Sequence, residues 1–219
     1  YWATEAVNRA FRCMQKLGDI ASPSAGITTG NNEKYICFWW ELNYRAIDFN
    51  CSDIGSVAST AKWYPCNKGG QFRKWYGNRE NVMRFDTVAQ IEMSGLSGYR
   101  PVNLGKQFLP SITWSDITSG GNSFRQNGGH NLYDHVGISA FPPPDARDYI
   151  CAFLNSSVAR LFLCFIAPTM HCNAGDVAKI PLTGVNCDLI ASASKTCVSH
   201  SKNDWDLQEI SWDFQRNPL

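Results

Sequence analysis

The chain has 219 residues, of which 44% are hydrophobic and 18% charged, and its formal net charge is +1. This length and balance predict a globular protein that buries a core, with one domain or one domain and an appendage. The net charge near zero argues against a nonspecific nucleic-acid coat, because such proteins are basic throughout rather than in one segment.

The sequence carries no sign of a secreted or membrane protein. No N-terminal run has the charged, apolar and small-residue order of a signal peptide, and the longest apolar run, residues 158–167, is short and contains Arg160. The nine cysteines are odd in number and form no CxxC pair, so they predict neither a disulfide framework nor a zinc knuckle. We expect a soluble, cytoplasmic protein with mostly reduced, buried cysteines and no membrane partner.

The first predicted element is a helix within residues 1–17. Apolar residues recur there at helical spacing, Thr4 is a candidate N-terminal cap, and Gly18 is a candidate stop. Residues 16–20 are compatible with a short strand.

A polar loop and an apolar run follow. Residues 26–31 are rich in hydroxyl and amide groups, which suits phosphate contact but is more often simply a tight turn. Residues 34–42 form a β-prone apolar run, and residues 43–61 are a polar connector with little signal.

The positive charge is concentrated in residues 62–84, which we call the basic stretch. Six Lys and Arg side chains stand there against the single acid Glu80, a local balance of +5. Five aromatic residues are interleaved with them, and Gly69 and Gly70 supply a bend where backbone amides can approach a ligand. Cations that neutralise phosphates and rings that stack on bases favour a nucleic-acid surface. A strand pair with aromatic cross-strand packing and a solvated lysine edge fits the composition equally well.

The second half of the chain alternates strands and helices. Residues 85–101 are compatible with a short helix, and the sequence from residue 105 reads as strands joined by glycine loops with many Ser, Thr and Asn side chains. Residues 148–166 form the clearest helix, which Asn155 and its neighbours are predicted to split in two. A helical turn and a strand start are predicted in residues 173–182. The acidic, aromatic end, residues 203–219, suits docking on another surface.

No catalytic constellation is visible. His130 and His135 flank Asp134, and His171 abuts Cys172, but neither set has a recognised metal-ligand spacing, so hydrogen-bonded loop histidines are the simpler interpretation. No phosphate loop or dinucleotide fingerprint is present, and nothing in the sequence activates one thiol over the others. We therefore predict binding, with no metal and no cofactor in this chain.

Several ordered segments resemble known families. KLGDI at residues 16–20, followed by GITTGNN, resembles the opening of target-recognition domains in type I specificity subunits and fused restriction–modification methyltransferases. Four further segments are KWYPCNKGGQFRKWYGN, ITWSDITSGGNSFR, FLNSSVARLFLCFIAPTMHCNAGDVAKIPL and DWDLQEISWDF. They resemble the PglX family, the adenine-specific DNA methyltransferases of BREX phage-defence systems. The resemblance covers nearly all of residues 16–219.

The resemblance implies an α+β fold, mostly antiparallel β, in which helices brace a target-recognition domain. Residues 1–15 would be a helical linker from a missing N-terminal catalytic domain, residues 16–184 the recognition domain, and residues 185–219 an acidic, aromatic connector to a missing C-terminal region. The family's S-adenosylmethionine loop and Asn-Pro-Pro-Tyr motif are absent from this sequence, which does not begin with Met. We therefore expect a fragment that is inactive alone, with S-adenosylmethionine as the cofactor of the parent enzyme.

The resemblance also implies partners and contact residues. The partners would be double-stranded DNA, the methyltransferase domain of the parent and other BREX proteins. The predicted phosphate contacts are Lys62, Lys68, Arg73, Lys74 and Arg79. Base edges would be read from residues 71–75 and 119–126. The full set of predicted DNA-contacting residues is Lys62, Lys68, Gln71, Arg73, Lys74, Trp75, Tyr76, Arg79, Ser119, Asn122, Ser123, Arg125 and Gln126.

Two other functions remain open from the sequence. One is a protein-interaction module that docks a BREX partner or a DNA-mimicking inhibitor through the same cations. The other is a stand-alone hydrolase with a Cys/His pair, which would require thiol-dependent turnover.

Overall fold

The computed structural model describes residues 3–57, 61–119, 121–182 and 187–216. The boundary predicted between residues 184 and 185 lies outside these ranges. The α-helices are α1 (Glu5–Cys13), α2 (Gly18–Ala21), α3 (Asn32–Tyr35), α4 (Thr87–Ser94), α5 (Arg147–Leu154), α6 (Ser157–Ile166), α7 (Ala174–Ala178) and α8 (Asp188–Asp206). The strands are β1 (Gln15–Lys16), β2 (Thr28–Thr29), β3 (Ile36–Phe38), β4 (Trp63–Asn67), β5 (Asn81–Arg84), β6 (Tyr99–Arg100), β7 (Ser111–Thr113), β8 (Arg125–Asn127), β9 (Leu132–Tyr133), β10 (Ser139–Ala140) and β11 (Pro181–Leu182). Single 3-10 turns occupy Trp39–Glu41, Tyr44–Ala46, Ile54–Ser56 and Leu104–Lys106.

The strands form several small sheets. The largest has the order β3-β5-β4-β9, in which β4 runs antiparallel to β5 and parallel to β9. A three-stranded antiparallel sheet has the order β10-β7-β8, and β1 with β11 and β2 with β6 form antiparallel pairs. The α+β class with mostly antiparallel pairing is confirmed.

The N-terminal helix is confirmed, but its predicted end is wrong. The hydroxyl of Thr4 accepts a hydrogen bond from the Val7 N–H at 3.4 Å, so the cap is as predicted. The helix ends at Cys13, and Gly18 begins α2 instead of stopping α1. The strand predicted at residues 16–20 stops at Lys16, because the Asp19 carboxylate accepts the Lys16 N–H at 3.2 Å and favours a helical turn beyond it.

Two buried clusters hold these elements together. The first gathers α1, α5, α6 and the three-stranded sheet around Trp114 and Phe124, whose rings lie 5.5 Å apart. The indole N–H of Trp114 donates to the Cys172 carbonyl at 2.7 Å, so its one polar atom is satisfied. The second cluster packs the four-stranded sheet and α4 around Tyr64 and Phe108.

Asn155 separates α5 from α6, as the sequence predicted. Its amide donates to the carbonyl of Phe124 at 2.9 Å, and its carbonyl oxygen accepts the Phe124 N–H at 3.1 Å. The side chain therefore binds the backbone of the adjacent sheet edge instead of continuing the helix. Within the described ranges no single helix is long and apolar enough to cross a membrane; α5 and α6 reach that length only together, and they are bent by 67°.

Helix α8 is the element that the sequence analysis missed. It is rich in Ser, Asp and Lys and buries only Ser194 and Trp205, so its apolar periodicity is weak. It packs against α5 and carries the acidic, aromatic segment of residues 203–214 back to the basic stretch.

Candidate nucleic-acid interface

The fold brings together the two segments that the sequence predicted to contact DNA. The basic stretch leaves β4 at Asn67 and returns at β5, and the loop between them runs beside β8. The Trp75 N–H donates to the Phe124 carbonyl at 2.9 Å, and the Gln126 N–H donates to the Trp75 carbonyl at 2.8 Å. The hydroxyl of Ser123 accepts the Arg73 N–H at 3.2 Å. Residues 71–75 and 123–126 therefore form one continuous region, of which Ser123, Phe124 and Arg125 are buried.

Left-handed backbone conformations shape this loop. Gly70 has φ of +118° and lies so close to Asn78 that an added Cβ would be 2.7 Å from the Asn78 amide nitrogen. That amide donates to the Gln71 carbonyl at 2.8 Å, which closes the turn. Trp75 has φ of +74°, an uncommon conformation for a bulky side chain, and it is held there by its pairing with β8.

One edge of the region is open to solvent; we call it the exposed rim and define it by Gln71, Phe72, Ile117 and Ser119. Phe72 is 53% exposed and Ile117 is 52% exposed. The rim borders a shallow groove of about 370 Å³ between the Gly70 turn and residues 117–119. It presents an amide, a hydroxyl and an aromatic ring side by side.

Two lysines of the basic stretch complete the accessible charge. Lys62 is exposed and Lys68 is half-buried, and they lie at the two ends of β4. Six residues at about 3.3 Å each place their Cα atoms roughly 20 Å apart. Among the described residues neither ammonium has an ion pair or hydrogen bond.

The other cations of the stretch have partners inside the chain. Arg73 pairs with Asp204 at 2.9 Å, and its guanidinium lies 5.0 Å from the centre of the Trp205 ring. The ammonium of Lys74 donates to the Asn155 carbonyl at 2.8 Å. These contacts attach the loop to α8 and to the α5–α6 joint.

Arg79 lies between two rings. Its guanidinium is 5.2 Å from the centre of the Tyr76 ring and 5.1 Å from that of Trp212, both within cation–π range. One terminal nitrogen is 3.4 Å from the side-chain oxygen of Asn127. Tyr76 itself is only 8% exposed, so the ring supports the arginine from below.

Arg125 is fully buried. Its guanidinium donates to the Arg73 carbonyl and to the Ser123 hydroxyl, both at 3.3 Å, and it holds the loop from inside. Burial lowers the pKa of Arg125 to about 10, and the nearby carboxylate of Glu80 opposes that shift. Burial also raises the pKa of Glu80. Arg125 and Ser123, which is 6% exposed, therefore lie beneath the surface that the sequence predicted they would share with DNA.

The remaining predicted residues lie at the border of the region. Gln126 donates to the Asp148 carboxylate at 2.7 Å, and Trp75 is half-buried against the first core cluster. Asn122 lines a cleft of about 250 Å³ together with Lys74 and Arg160. Ser119 is exposed on the rim.

The sequence reasoning missed an aromatic line beside the basic stretch. Ring contacts run without a break from the stacked pair Phe38 and Trp40, 4.6 Å apart, to Trp212 next to Arg79. The sequence signal that could have placed Trp212 beside Arg79 was charge, since the acidic end of the chain, which contains Trp212, complements the basic stretch. The rings in this line are Phe38, Trp40, Trp39, Tyr44, Phe49 and Trp212.

His130 and His171 make ordinary polar contacts. Nδ1 of His130 lies 3.1 Å from the carbonyl oxygens of Asn50 and Cys51, and Nδ1 of His171 lies 3.3 Å from the Asp116 carboxylate. Among the residues that the structure describes, no group of three or more His, Cys, Asp and Glu side chains is placed to hold a metal ion.

The chain is similar to two bacterial methyltransferases. It is 33% identical over 227 residues to the adenine-specific methyltransferase PglX of Lacticaseibacillus casei strain Zhang, a match that covers 100% of this chain and 19% of that protein. It is 28% identical over 222 residues to the adenine-specific methyltransferase BrxX of Escherichia coli O9:H4 strain HS, covering 100% of this chain and 18% of that protein. The chain thus spans about a fifth of the length of these curated relatives. No family model matches it.

Proposed function

The chain is homologous to one segment of the adenine-specific methyltransferases PglX and BrxX, and from this relationship we propose that it recognises duplex DNA for such an enzyme. Residues 16–184 form the recognition domain in this proposal, residues 1–15 link it to a catalytic domain, and residues 185–219 connect it to a further region. The catalytic domain, with S-adenosylmethionine, methylates the exocyclic amine of an adenine flipped out of the duplex.

The observation that carries the proposal is the meeting of the two predicted segments at the exposed rim. Gln71 and Ser119 come from segments almost fifty residues apart, and both are exposed and line one groove. An amide and a hydroxyl supply the donors and acceptors that distinguish base pairs in the major groove. Phe72 adds an apolar contact of the kind that a thymine methyl group accepts.

Lys62 and Lys68 supply the phosphate contacts. Among the described residues neither ammonium has an ion pair or hydrogen bond, although the charge of Lys68 acts on the buried carboxylate of Asp134, so phosphates would not have to displace an internal ion pair from either lysine. Arg73, Lys74 and Arg79 remain half-buried and add to the positive field, but their internal contacts make loop positioning their first role. The buried Arg125 supports the loop from inside.

A salt titration tests this assignment. We expect a labelled duplex to bind the chain with an affinity that falls steeply with salt, and the Lys62→Gln/Lys68→Gln variant to lower the log–log slope by about 1.8, at about 0.9 per phosphate contact. The matched control is Lys179→Gln/Lys195→Gln, which removes the same charge from two lysines that are 68% and 70% exposed and lie outside the basic stretch. Equal slopes in the two variants, or no binding by the unaltered chain at low salt, would contradict the proposal.

A second candidate function is docking of a protein partner, either another BREX protein or a DNA-mimicking inhibitor. The observation that favours it is the stacked pair of Phe38 and Trp40, which are 41% and 44% exposed and suit a protein contact. An acidic inhibitor that occupied the cations would be displaced by duplex DNA, whereas a partner bound through Phe38 and Trp40 would remain bound.

A further inference from the structure

A second concave surface lies next to the basic stretch, on the side of the aromatic line. It is a cleft of about 670 Å³, within the size range of small-molecule sites. Its walls are residues 44–50, the turn at residues 128–130, Arg79 and the C-terminal residues Trp212 and Asp213. No residue of the exposed rim is among the described residues that line this cleft, and the names of the relatives assign it no function.

One wall of the cleft is aromatic. The rings of Tyr44 and Phe49 are stacked 4.8 Å apart with an interplanar angle of 30°, and Phe49 lies 5.2 Å from Trp212. Tyr44 is 53% exposed, so the outer part of this wall is accessible to a ligand. Flat rings of this kind stack on any of the four bases, since every base has a π-face.

Two arginines of the cleft are able to bind an anion. Arg45 and Arg79 line the cleft, and among the described residues no carboxylate lies within ion-pair distance of either guanidinium. The two acids of the cleft already have partners. Asp213 lies 3.4 Å from the Lys202 ammonium, and Asp48 accepts the Asn50 N–H at 2.8 Å. Asp48 keeps its negative charge in this hydrogen bond, so the groups of the cleft that can bind phosphate are the guanidinium groups of the two arginines.

A small pocket with many amide groups adjoins the cleft and shares Arg79 and Trp212 with it. Asn78, Asn127 and Asn131 line this pocket, and the side-chain oxygen of Asn131 is buried without a hydrogen-bond partner. At about 20 Å³ the pocket has room for roughly one water molecule, so it extends the polar side of the cleft but does not itself accommodate a base.

We propose that this cleft binds a single unstacked nucleotide, with its base against Tyr44 and Trp212 and its phosphate on Arg45 and Arg79. The proposal rests on the proposed function, since the nucleotide would be part of the bound DNA. Paired bases are stacked on their neighbours and cannot reach an aromatic wall, so the cleft selects a nucleotide that has left the helix. A free nucleoside monophosphate presents the same chemistry.

The test compares DNA with and without an unpaired nucleotide. Fluorescence anisotropy would give the affinity of the chain for a labelled duplex, for the same duplex with a one-nucleotide bulge, and for free deoxyadenosine monophosphate by competition. We expect the bulged duplex to bind roughly tenfold more tightly than the paired one, as for one base stacked on an aromatic ring. Tyr44→Ala and Arg45→Gln should each remove this preference and leave paired-duplex affinity unchanged.

Two controls keep the result specific. Tyr44→Phe retains the ring and should retain the preference, whereas Arg100→Gln removes an exposed arginine outside the cleft lining and should change nothing. The side chains that the variants change, Tyr44, Arg45 and Arg100, are exposed, so the variants should fold normally.

Each outcome separates this inference from the proposed function. Equal affinity for bulged and paired duplexes, or a preference that survives Tyr44→Ala, would overturn the inference and leave the duplex-binding proposal standing. A third outcome is that free deoxyadenosine monophosphate binds, that Tyr44→Ala abolishes this binding, and that neither DNA binds. The nucleotide would then not come from DNA, and the proposed function would be wrong as well. No binding of any probe would overturn both.

Discussion

Arg73 and Asp204 form an ion pair at 2.9 Å although 131 residues separate them in the chain. The same guanidinium lies over the ring of Trp205, which is 3% exposed. The hydroxyl of Ser201 lies 3.1 Å from the carbonyl oxygens of both Lys74 and Tyr76 and can share its single proton between them, so α8 is attached to the loop at several points. The acidic, aromatic segment thus packs on the basic stretch of its own chain.

The attachment of α8 should depend on the buried ring far more than on the ion pair. Trp205→Ala removes a buried aromatic side chain, and we expect the free energy of unfolding to fall by about 3–5 kcal/mol. Asp204→Ala removes a carboxylate whose side chain is 69% exposed, and we expect a loss below about 1 kcal/mol. Urea unfolding followed by tryptophan fluorescence and circular dichroism would measure both. Equal losses in the two variants would show that the ion pair holds the helix.

Asn155 should be important for stability because its amide satisfies the backbone of Phe124 in the interior. Asn155→Ala leaves the buried N–H and carbonyl of Phe124 without these partners, and we expect a loss of about 2–3 kcal/mol. The control is Asn8→Ala, which removes an exposed amide bonded to the Ala3 carbonyl at 3.4 Å. Chemical denaturation of both variants checks this, and a similar small change in each would refute the role assigned to Asn155.

The pH dependence of stability should change when the buried carboxylate Asp134 is replaced. Its oxygen accepts the N–H groups of Val136 and Gly137 at 2.9 and 2.7 Å, and burial raises its pKa above the ordinary value of 3.8. The folded state therefore holds the proton more tightly than the unfolded chain. The stability gained from this proton is complete below the unfolded pKa and is lost as the pH rises through the raised folded pKa.

Asp134→Asn keeps an oxygen for both N–H groups and removes the titration. We expect the free energy of unfolding of the variant, relative to the unaltered chain, to increase as the pH rises from 3.8 toward neutrality. Urea titrations at several pH values measure this difference. A difference that is constant with pH would show that Asp134 does not titrate differently on folding.

The cysteines should differ sharply in reactivity. Burial raises the pKa values of Cys151 and Cys172 to about 12 each, whereas Cys13 and Cys164 are exposed free thiols. Because the thiolate is the nucleophile, iodoacetamide at mildly alkaline pH should label Cys13 and Cys164 first. The buried pair should react only after unfolding. Peptide mapping by mass spectrometry checks the order, and rapid labelling of Cys151 in the folded chain would contradict the packing described.

Local sequence signals predicted the elements that local chemistry controls. The cap at Thr4, the break at Asn155 and the helix between Thr87 and Ser94 each follow from a few neighbouring residues. Helix α8 lacked such a signal, because it buries little of its surface and is stabilised by packing on α5 and on the basic stretch. Its existence depends on residues far away in the chain.

The sequence by itself determined that a basic, aromatic stretch and a hydroxyl- and amide-rich stretch exist, and that the acidic end complements the first in charge. Only the tertiary structure decided which side chains of these stretches remain accessible. Arg125 is buried, Arg73 and Lys74 bind partners on other elements, and Lys62 and Lys68 stay available. The physical reason is that burial and pairing depend on contacts between residues fifty to more than a hundred positions apart, and no local pattern encodes them.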